Sequence, residues 1–282
     1  MKLKDFLQQF PDEESCVLYI RRKREKEGIT CRKCGCKSHS WYKTRSMWQC
    51  KNCRYRTSLK VGTVMEDSNL PLKTWMYAFY FMIHTKKSYS ACEMQRILGH
   101  SRYETIWYLM QRIRQFISDN NRKLFTSGVF DHRENLKSTI QVRRNKKGPE
   151  KSGPTIFINP ESYLSSMVRG SSDQMLLVLA TERNLDENAK PKHYKSITEH
   201  FQSQYDLKFD NHQPKKKPLP KWIQNILFNV NCVIKGIHHL VQYKYLQLYL
   251  DEFNFKYNNR NDPEMFQHFI DKVFKPFWYN SD

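Results

Sequence analysis

Leu3, Phe6, Leu7 and Phe10 recur at helical spacing with polar residues between them, which predicts a short first helix. A second helix is expected from about Asp12 to Lys26, with Cys16, Val17 and Ile20 facing inward. Further on, the segment NLPLKTWMYAFYFMIHTKK is apolar enough to be a buried helix, starting near Pro71, a residue suited to a first helical turn. Two more helices carry start signals. Ser90 with Glu93 and Ser101 with Glu104 each have the S-x-x-E spacing of a capping box, and Gly99 is placed to close the helix between them.

Short β-type runs dominate the centre. SGVFD, STIQV, PTIFI and MLLVLAT lie between Ser127 and Thr181, separated by RRNKKGPEKSGP and RGSSD, and predict a mixed sheet. From about His193 the pattern returns to helix. WIQNILFNVNCVIKGIHHLV is followed by YKYLQLYLDEFNFKYNNR, with Leu246, Leu250, Phe253 and Tyr257 on one stripe, then by a short helix near Asp262 to Lys275. Helices, then strands, then helices predict an α+β chain of several parts.

Cysteine spacing changes this picture. Cys31, Cys34, Cys50 and Cys53 form two C-x-x-C pairs, the arrangement in which four thiolates close tetrahedrally around one structural Zn²⁺. Gly35 permits the tight turn that lets the first pair bite one side of a metal. No signal peptide precedes the cluster, so a reducing, cytoplasmic setting is expected, and disulfides are a poorer reading than zinc. Cys36 and His39 are spare, and Cys16, Cys92 and Cys232 read as small buried hydrophobes.

Charge then gives the ribbon a partner. Between Arg21 and Lys60 there are fourteen Lys or Arg against Glu25 and Glu27, so twelve of the chain's twenty excess positive charges fall here. Trp41, Tyr42, Trp48 and Tyr55 are interleaved with Lys43, Arg45, Arg54 and Arg56, which suits contact with phosphates and sugars or bases. A Cys₄ site carries two formal negative charges, far too few to explain this excess. With 282 residues and 39% apolar composition the chain can bury a core, and its longest apolar run, Trp75 to Ile83, is short of the ~20 residues a membrane span needs.

The two capped helices, SACEMQRILGHSRYETIWYLMQRIRQFI, have the outline of a helix-turn-helix. In that arrangement Ser101, Arg102, Tyr103 and Thr105 face DNA while Ile106, Leu109, Ile113 and Phe116 face the core.

The opening FPDEESCVLYIRRKREKEGITCRKCG, the ribbon, LPLKTWMYAFYFM, ILGHSRYETIWYLMQRIR and the ending LPKWIQNILFNVNCVIKGIHHLVQYKYLQLYLDEFNFKYNNR resemble ISXO-type bacterial insertion-sequence transposases. The resemblance implies four parts: N-terminal helices over 1–28, a zinc ribbon over 29–60, a helix-turn-helix region over 68–120, and an RNase-H-like transposase domain over 125–282. It also implies Mg²⁺ or Mn²⁺ chemistry on double-stranded transposon-end and target DNA, with a homodimer or larger assembly joining two ends. Carried over by position, the catalytic set is Asp131, Glu182 and Asn229. Glu134 competes for the first place, since an Asp-Glu pair is the family pattern there, and Asp186 competes for the second, where an Asp is the pattern. Gln224 and Asn231 stand where the family often has His and Lys. These departures leave open a second class of function, a non-catalytic zinc-ribbon and helix-turn-helix DNA-binding protein. His238 and His239 are adjacent in a helix and so point to different faces, which favours packing or phosphate contact over a shared metal.

Overall fold

The computed structural model describes residues 1–85, 87–125, 138–139, 155–158, 177–180, 225, 228–230, 232–238, 241 and 243–274. These are mixed α and β, and they fall into two compact units, one of residues 1–84, 94–112 and 262 onward, the other of residues 85–93 and 113–261.

In the first unit, α1 (Leu3–Gln9) buries Phe6, and Phe10, which caps its C-terminus, is buried as well. Leu3 and Leu7 are exposed, so the inward stripe is narrower than the four-residue spacing predicts. Helix α2 (Glu13–Glu27) begins at Asp12, whose Oδ1 accepts from Ser15 N at 2.8 Å. Glu13 and Glu14 in its first turn and Arg24 and Lys26 in its last complement the helix dipole. Cys16 and Ile20 are buried and Val17 half-buried. Helix α3 (Leu72–His84) follows Pro71 and buries Leu72, Trp75, Met76, Ala78, Phe79, Tyr80, Met82 and Ile83. Its free N-terminal donors are capped from a distance, because the Glu13 carboxylate accepts Leu72 N and Lys73 N, both at 2.8 Å.

An aromatic cluster joins these helices to the C-terminal helix of the same unit, Met265–Phe274 (α7 below). Phe6 stacks on Tyr80 with centroids 4.2 Å apart and meets Phe266 edge-on at 5.5 Å, while Phe79 meets Phe269 at 5.5 Å. Edge and offset contacts of this kind add to the burial of the rings themselves. Tyr19 donates to Gln267, and Lys23 pairs with Asp271, so one side of α2 is held to the same C-terminal helix.

Helix α4 (Ala91–Leu98) opens with the Ser90–Glu93 box: Ser90 N donates to Glu93 Oε2 at 2.9 Å and Glu93 N to Ser90 Oγ at 3.2 Å. It closes at Gly99, whose φ of +63° lets His100 N reach Gln95 O and Gly99 N reach Arg96 O. The second box does not form among the described residues. Helix α5 (Tyr103–Phe125) starts one residue too late for Ser101 to be its cap, and the turn is instead held by Arg102 N donating to His100 Nδ1 at 3.1 Å and Gln95 Nε2 donating to Ser101 O.

In the second unit, β4 (Ser138–Thr139), β5 (Thr155–Ile158) and β6 (Leu177–Ala180) form an antiparallel sheet in that order. The predicted mixed sheet is thus antiparallel over its described strands, and SGVFD lies outside the described residues. Residues 228–230 are helical and Cys232–Ile237 form a π-helical segment, where a continuous helix was expected. Helix α6 (Tyr243–Asn258) packs against β6. Leu246 and Leu250 are buried as predicted, and Phe253 stacks on Tyr257. Periodicity does not show that α6 also buries Gln247, Asp251, Glu252 and Asn254. Arg114 Nε donates to Glu252 Oε2 at 2.7 Å and Lys256 Nζ to Glu252 Oε1 at 2.5 Å, with Ser88 Oγ donating to the same carboxylate. Burial alone would raise the Glu252 pKa, but the two cations hold it well below the usual carboxylate range. Helix α7 (Met265–Phe274) returns to the first unit.

Candidate metal centre and nucleic-acid interface

The zinc-type cysteines sit on two matching knuckles. In the first, Gly35 N donates to Cys31 O at 2.9 Å and Gly35 has a φ of +70°. In the second, Arg54 N donates to Cys50 O at 3.0 Å and Arg54 takes the left-handed conformation, with a φ of +56°. Each knuckle therefore needs a left-handed residue four places after its first cysteine, and the sequence supplies glycine at only one. Strand β2 (Met47–Cys50) pairs with β1 (His39–Tyr42) on one side and β3 (Arg56–Ser58) on the other, both antiparallel, which brings the second knuckle against the first.

The result is a four-sulfur cluster whose Sγ atoms all lie within 4.8 Å of one another. Cys31 and Cys53 sulfurs are 3.5 Å apart and Cys34 and Cys50 sulfurs 3.6 Å apart. Sulfurs held about 2.3 Å from one Zn²⁺ in a tetrahedron lie about 3.8 Å from each other, so these contacts are the edges of a metal site rather than thiol hydrogen bonds. Charge distribution agrees. The backbone N–H of Cys53 helps to draw Cys50 down to about 6, whereas Cys53, despite the N–H of Tyr55, is pushed up to about 12 by burial and its three sulfur neighbours. Four thiols this close cannot all ionise without a cation, and a dication removes the conflict. Cys36 and His39 stay outside the cluster, Cys36 bonding Ser38 and His39 turning to Lys37 O. Among the lone cysteines Cys16 is buried, but Cys92 and Cys232 are exposed, so helical surroundings did not imply burial for them.

The basic residues divide into two groups that composition does not separate. Arg24 is buried, lies over Trp48, and donates to Leu59 O at 2.7 Å and Val61 O at 2.6 Å. Arg21 pairs with Glu25 and covers Trp41, Arg32 pairs with Glu66, and Lys60 donates to Ser68 O and Leu70 O. These cations hold the ribbon to α2 and to the segment before α3. Exposed on the same region are Arg22, Lys26, Lys33, Lys37, Lys43, Arg45, Lys51, Arg54 and Arg56. Of the three ribbon arginines predicted to meet DNA, Arg45, Arg54 and Arg56, all face solvent, and Arg56 lies over the Tyr42 ring at 5.6 Å. The six other exposed cations were hidden in the charge count, and none of them lies on a ribbon strand: Arg22 and Lys26 are on α2, and Lys33, Lys37, Lys43 and Lys51 are in the turns and loops of the ribbon.

On α4 and α5, Ser101, Arg102 and Tyr103 are exposed and Thr105 half-buried, while Ile106, Leu109 and Ile113 are buried and Phe116 half-buried. Asp131 and Glu182, with their rivals Glu134 and Asp186, lie outside the described residues, as do Gln224 and Asn231. Asn229 is exposed on the helical stretch 228–230. His238 packs edge-on against Tyr249 at 4.6 Å, and burial together with the Arg114 charge lowers its pKa to about 3, which makes it a neutral packing residue. His239 lies outside the described residues. No helix among the described residues is long and apolar enough to cross a membrane.

A family model described as a transposase zinc-ribbon domain matches residues 11–56, which takes in α2 as well as both knuckles. A second, described as an ISXO2-like transposase domain, matches residues 161–258, including Glu182 and Asn229 but not Asp131. Together they take in about half of the chain. No curated protein and no solved structure matches it. Two transposase family models match in the order zinc ribbon then transposase domain, the first of them over the four-cysteine cluster, and the chain belongs to the ISXO2-like transposases.

Proposed function

We propose that this protein is an insertion-sequence transposase that grips transposon-end DNA with its zinc ribbon and with α4 and α5 acting as a helix-turn-helix, and cleaves and rejoins strands with an RNase-H-like domain. The observation that carries the DNA-binding half is the four-cysteine cluster in a small ribbon on which Lys33, Lys37, Lys43, Arg45, Lys51, Arg54 and Arg56 are exposed, with Arg22 and Lys26 exposed on α2. Phosphate neutralisation at such a surface releases counterions and gives strong, salt-dependent binding. Arg102, just before α5, and Tyr103 in its first turn are both exposed, which suits base-edge contact.

The catalytic half rests on the match over 161–258. Asp131 and Glu182 supply carboxylate oxygens and Asn229 a neutral carbonyl oxygen, a donor set that suits Mg²⁺ or Mn²⁺. When bound, such ions supply Lewis-acid stabilisation of in-line attack on a phosphodiester. Asn229 faces solvent, as a residue reaching toward a DNA backbone must. The antiparallel run β4–β5–β6 is compatible with the opening meander of an RNase-H-like sheet. The domain plan is that of the sequence reading: 1–28, 29–60, 68–120 and 125–282. Two copies acting together fit a reaction that joins two ends. The non-catalytic alternative draws on the departures from family pattern around Glu182.

The test is an end-cleavage assay. Purified zinc-loaded protein with Mg²⁺ or Mn²⁺ should nick end-containing duplex, and Asp131→Ala should abolish nicking while leaving binding intact. Specific binding with no cleavage under either metal would select the non-catalytic reading.

A further inference from the structure

The ribbon sheet has two unlike faces. Trp41, Trp48 and Thr57 form one registered row, facing inward, with Trp48 and Thr57 at most 2% exposed and Arg21 and Arg24 laid over the two indoles. On the opposite face, Ser40, Gln49 and Arg56 share one row and Tyr42, Met47 and Ser58 the next. Tyr42 is 40% exposed there, with the Arg56 guanidinium 5.6 Å from its ring centre. Lys43 and Arg45 follow at once in the tight turn Lys43–Arg45, both exposed.

A face that only held phosphates would need cations alone. This one places a planar phenol and a planar guanidinium together, open to solvent, beside two further cations. Both groups stack on nucleobases, and a base adds to them without any hydrogen-bond code. Base faces are covered in a duplex, so only unpaired nucleotides offer what this surface can hold.

We propose that the outer face of the ribbon sheet, centred on Tyr42 and Arg56, takes unpaired DNA bases, with Lys43 and Arg45 on the adjoining phosphates. The inference rests on the DNA-binding reading above and narrows it: the ribbon senses opened DNA, such as a frayed or processed end, in addition to duplex.

The experiment uses the full chain loaded with zinc and follows fluorescence anisotropy of three probes: a blunt duplex, the same duplex with a single-stranded fork, and an oligothymidylate. The fork should bind more tightly than the blunt duplex. Tyr42→Ala should weaken the oligothymidylate about tenfold and the blunt duplex less than twofold, and Tyr42→Phe should restore binding. Arg45→Ala should weaken all three probes. If Tyr42→Ala weakens duplex and oligothymidylate alike, or neither, the inference is overturned. Should Tyr42→Ala lose zinc, photocrosslinking of a bromouracil oligonucleotide to the unmodified protein decides instead, an adduct at Tyr42 supporting the inference and its absence overturning it. Duplex binding without oligothymidylate binding removes this inference alone, whereas no binding to any probe removes the DNA-binding reading beneath it.

Discussion

Arg24 and Arg45 are the same residue type in the same basic segment, yet they do opposite work. Arg24 satisfies two backbone carbonyls, so Arg24→Ala leaves the buried Leu59 O and the half-buried Val61 O without their donor and should cost about 2–3 kcal/mol. Thermal unfolding should show that loss. Arg45→Ala should leave the melting temperature unchanged and reduce the salt slope of DNA binding by about 1. The cysteines are more sensitive. Replacing Cys50, which is buried among three other sulfurs, with Ser should bring bound zinc to near zero by elemental analysis and abolish DNA binding, and chelation of the native protein should reproduce the effect reversibly. At this scale the four ligands were legible because C-x-x-C spacing is a local constraint. The division of the arginines was not, since it depends on which carbonyls and indoles lie across from each side chain.

Turns and caps decide the elements. Gly99 ends α4 in a left-handed conformation, so Gly99→Ala should destabilise the first unit by about 1 kcal/mol although nothing lies within 4 Å of the added methyl, a pure backbone effect measurable by denaturant titration. Ser90 and Glu93 announced α4 correctly because both partners are three residues apart. Ser101 and Glu104 have the same spacing and form no such box, because Gln95 and His100 already hold the preceding turn. The cap on α3 is invisible to any local pattern: Glu13 lies 59 residues from the Leu72 amide that it accepts.

For the whole molecule, acid is the informative variable. His238 is neutral in the folded second unit with its pKa lowered to about 3 by burial and Arg114, against about 6.5 when unfolded. Below pH 6.5 the unfolded chain takes up a proton that the folded chain refuses, so stability falls with falling pH, by at most about 1.4 kcal/mol per pH unit, until the folded pKa is reached. Glu252 acts in the same direction at lower pH: its folded pKa is depressed, so its stabilisation is present above the unfolded carboxylate range and is lost as pH falls through the folded value. Chemical denaturation at pH 7 and pH 5 should show the His238 part, and His238→Phe should flatten it. Glu252→Ala should cost about 3–5 kcal/mol at neutral pH by stranding Arg114 and Lys256.

Sequence alone determined the metal site, the helix starts whose signals are short-range, the basic ribbon and the family, because each depends on residues close along the chain or on a motif order that survives without coordinates. Tertiary structure decided which cations face solvent, which side of the ribbon sheet is open, and that α6 buries a carboxylate between two cations. Those are properties of pairing and packing. Strand register sorts alternate side chains to opposite faces, and burial sorts identical residues into internal donors and external ones, neither of which a one-dimensional pattern contains.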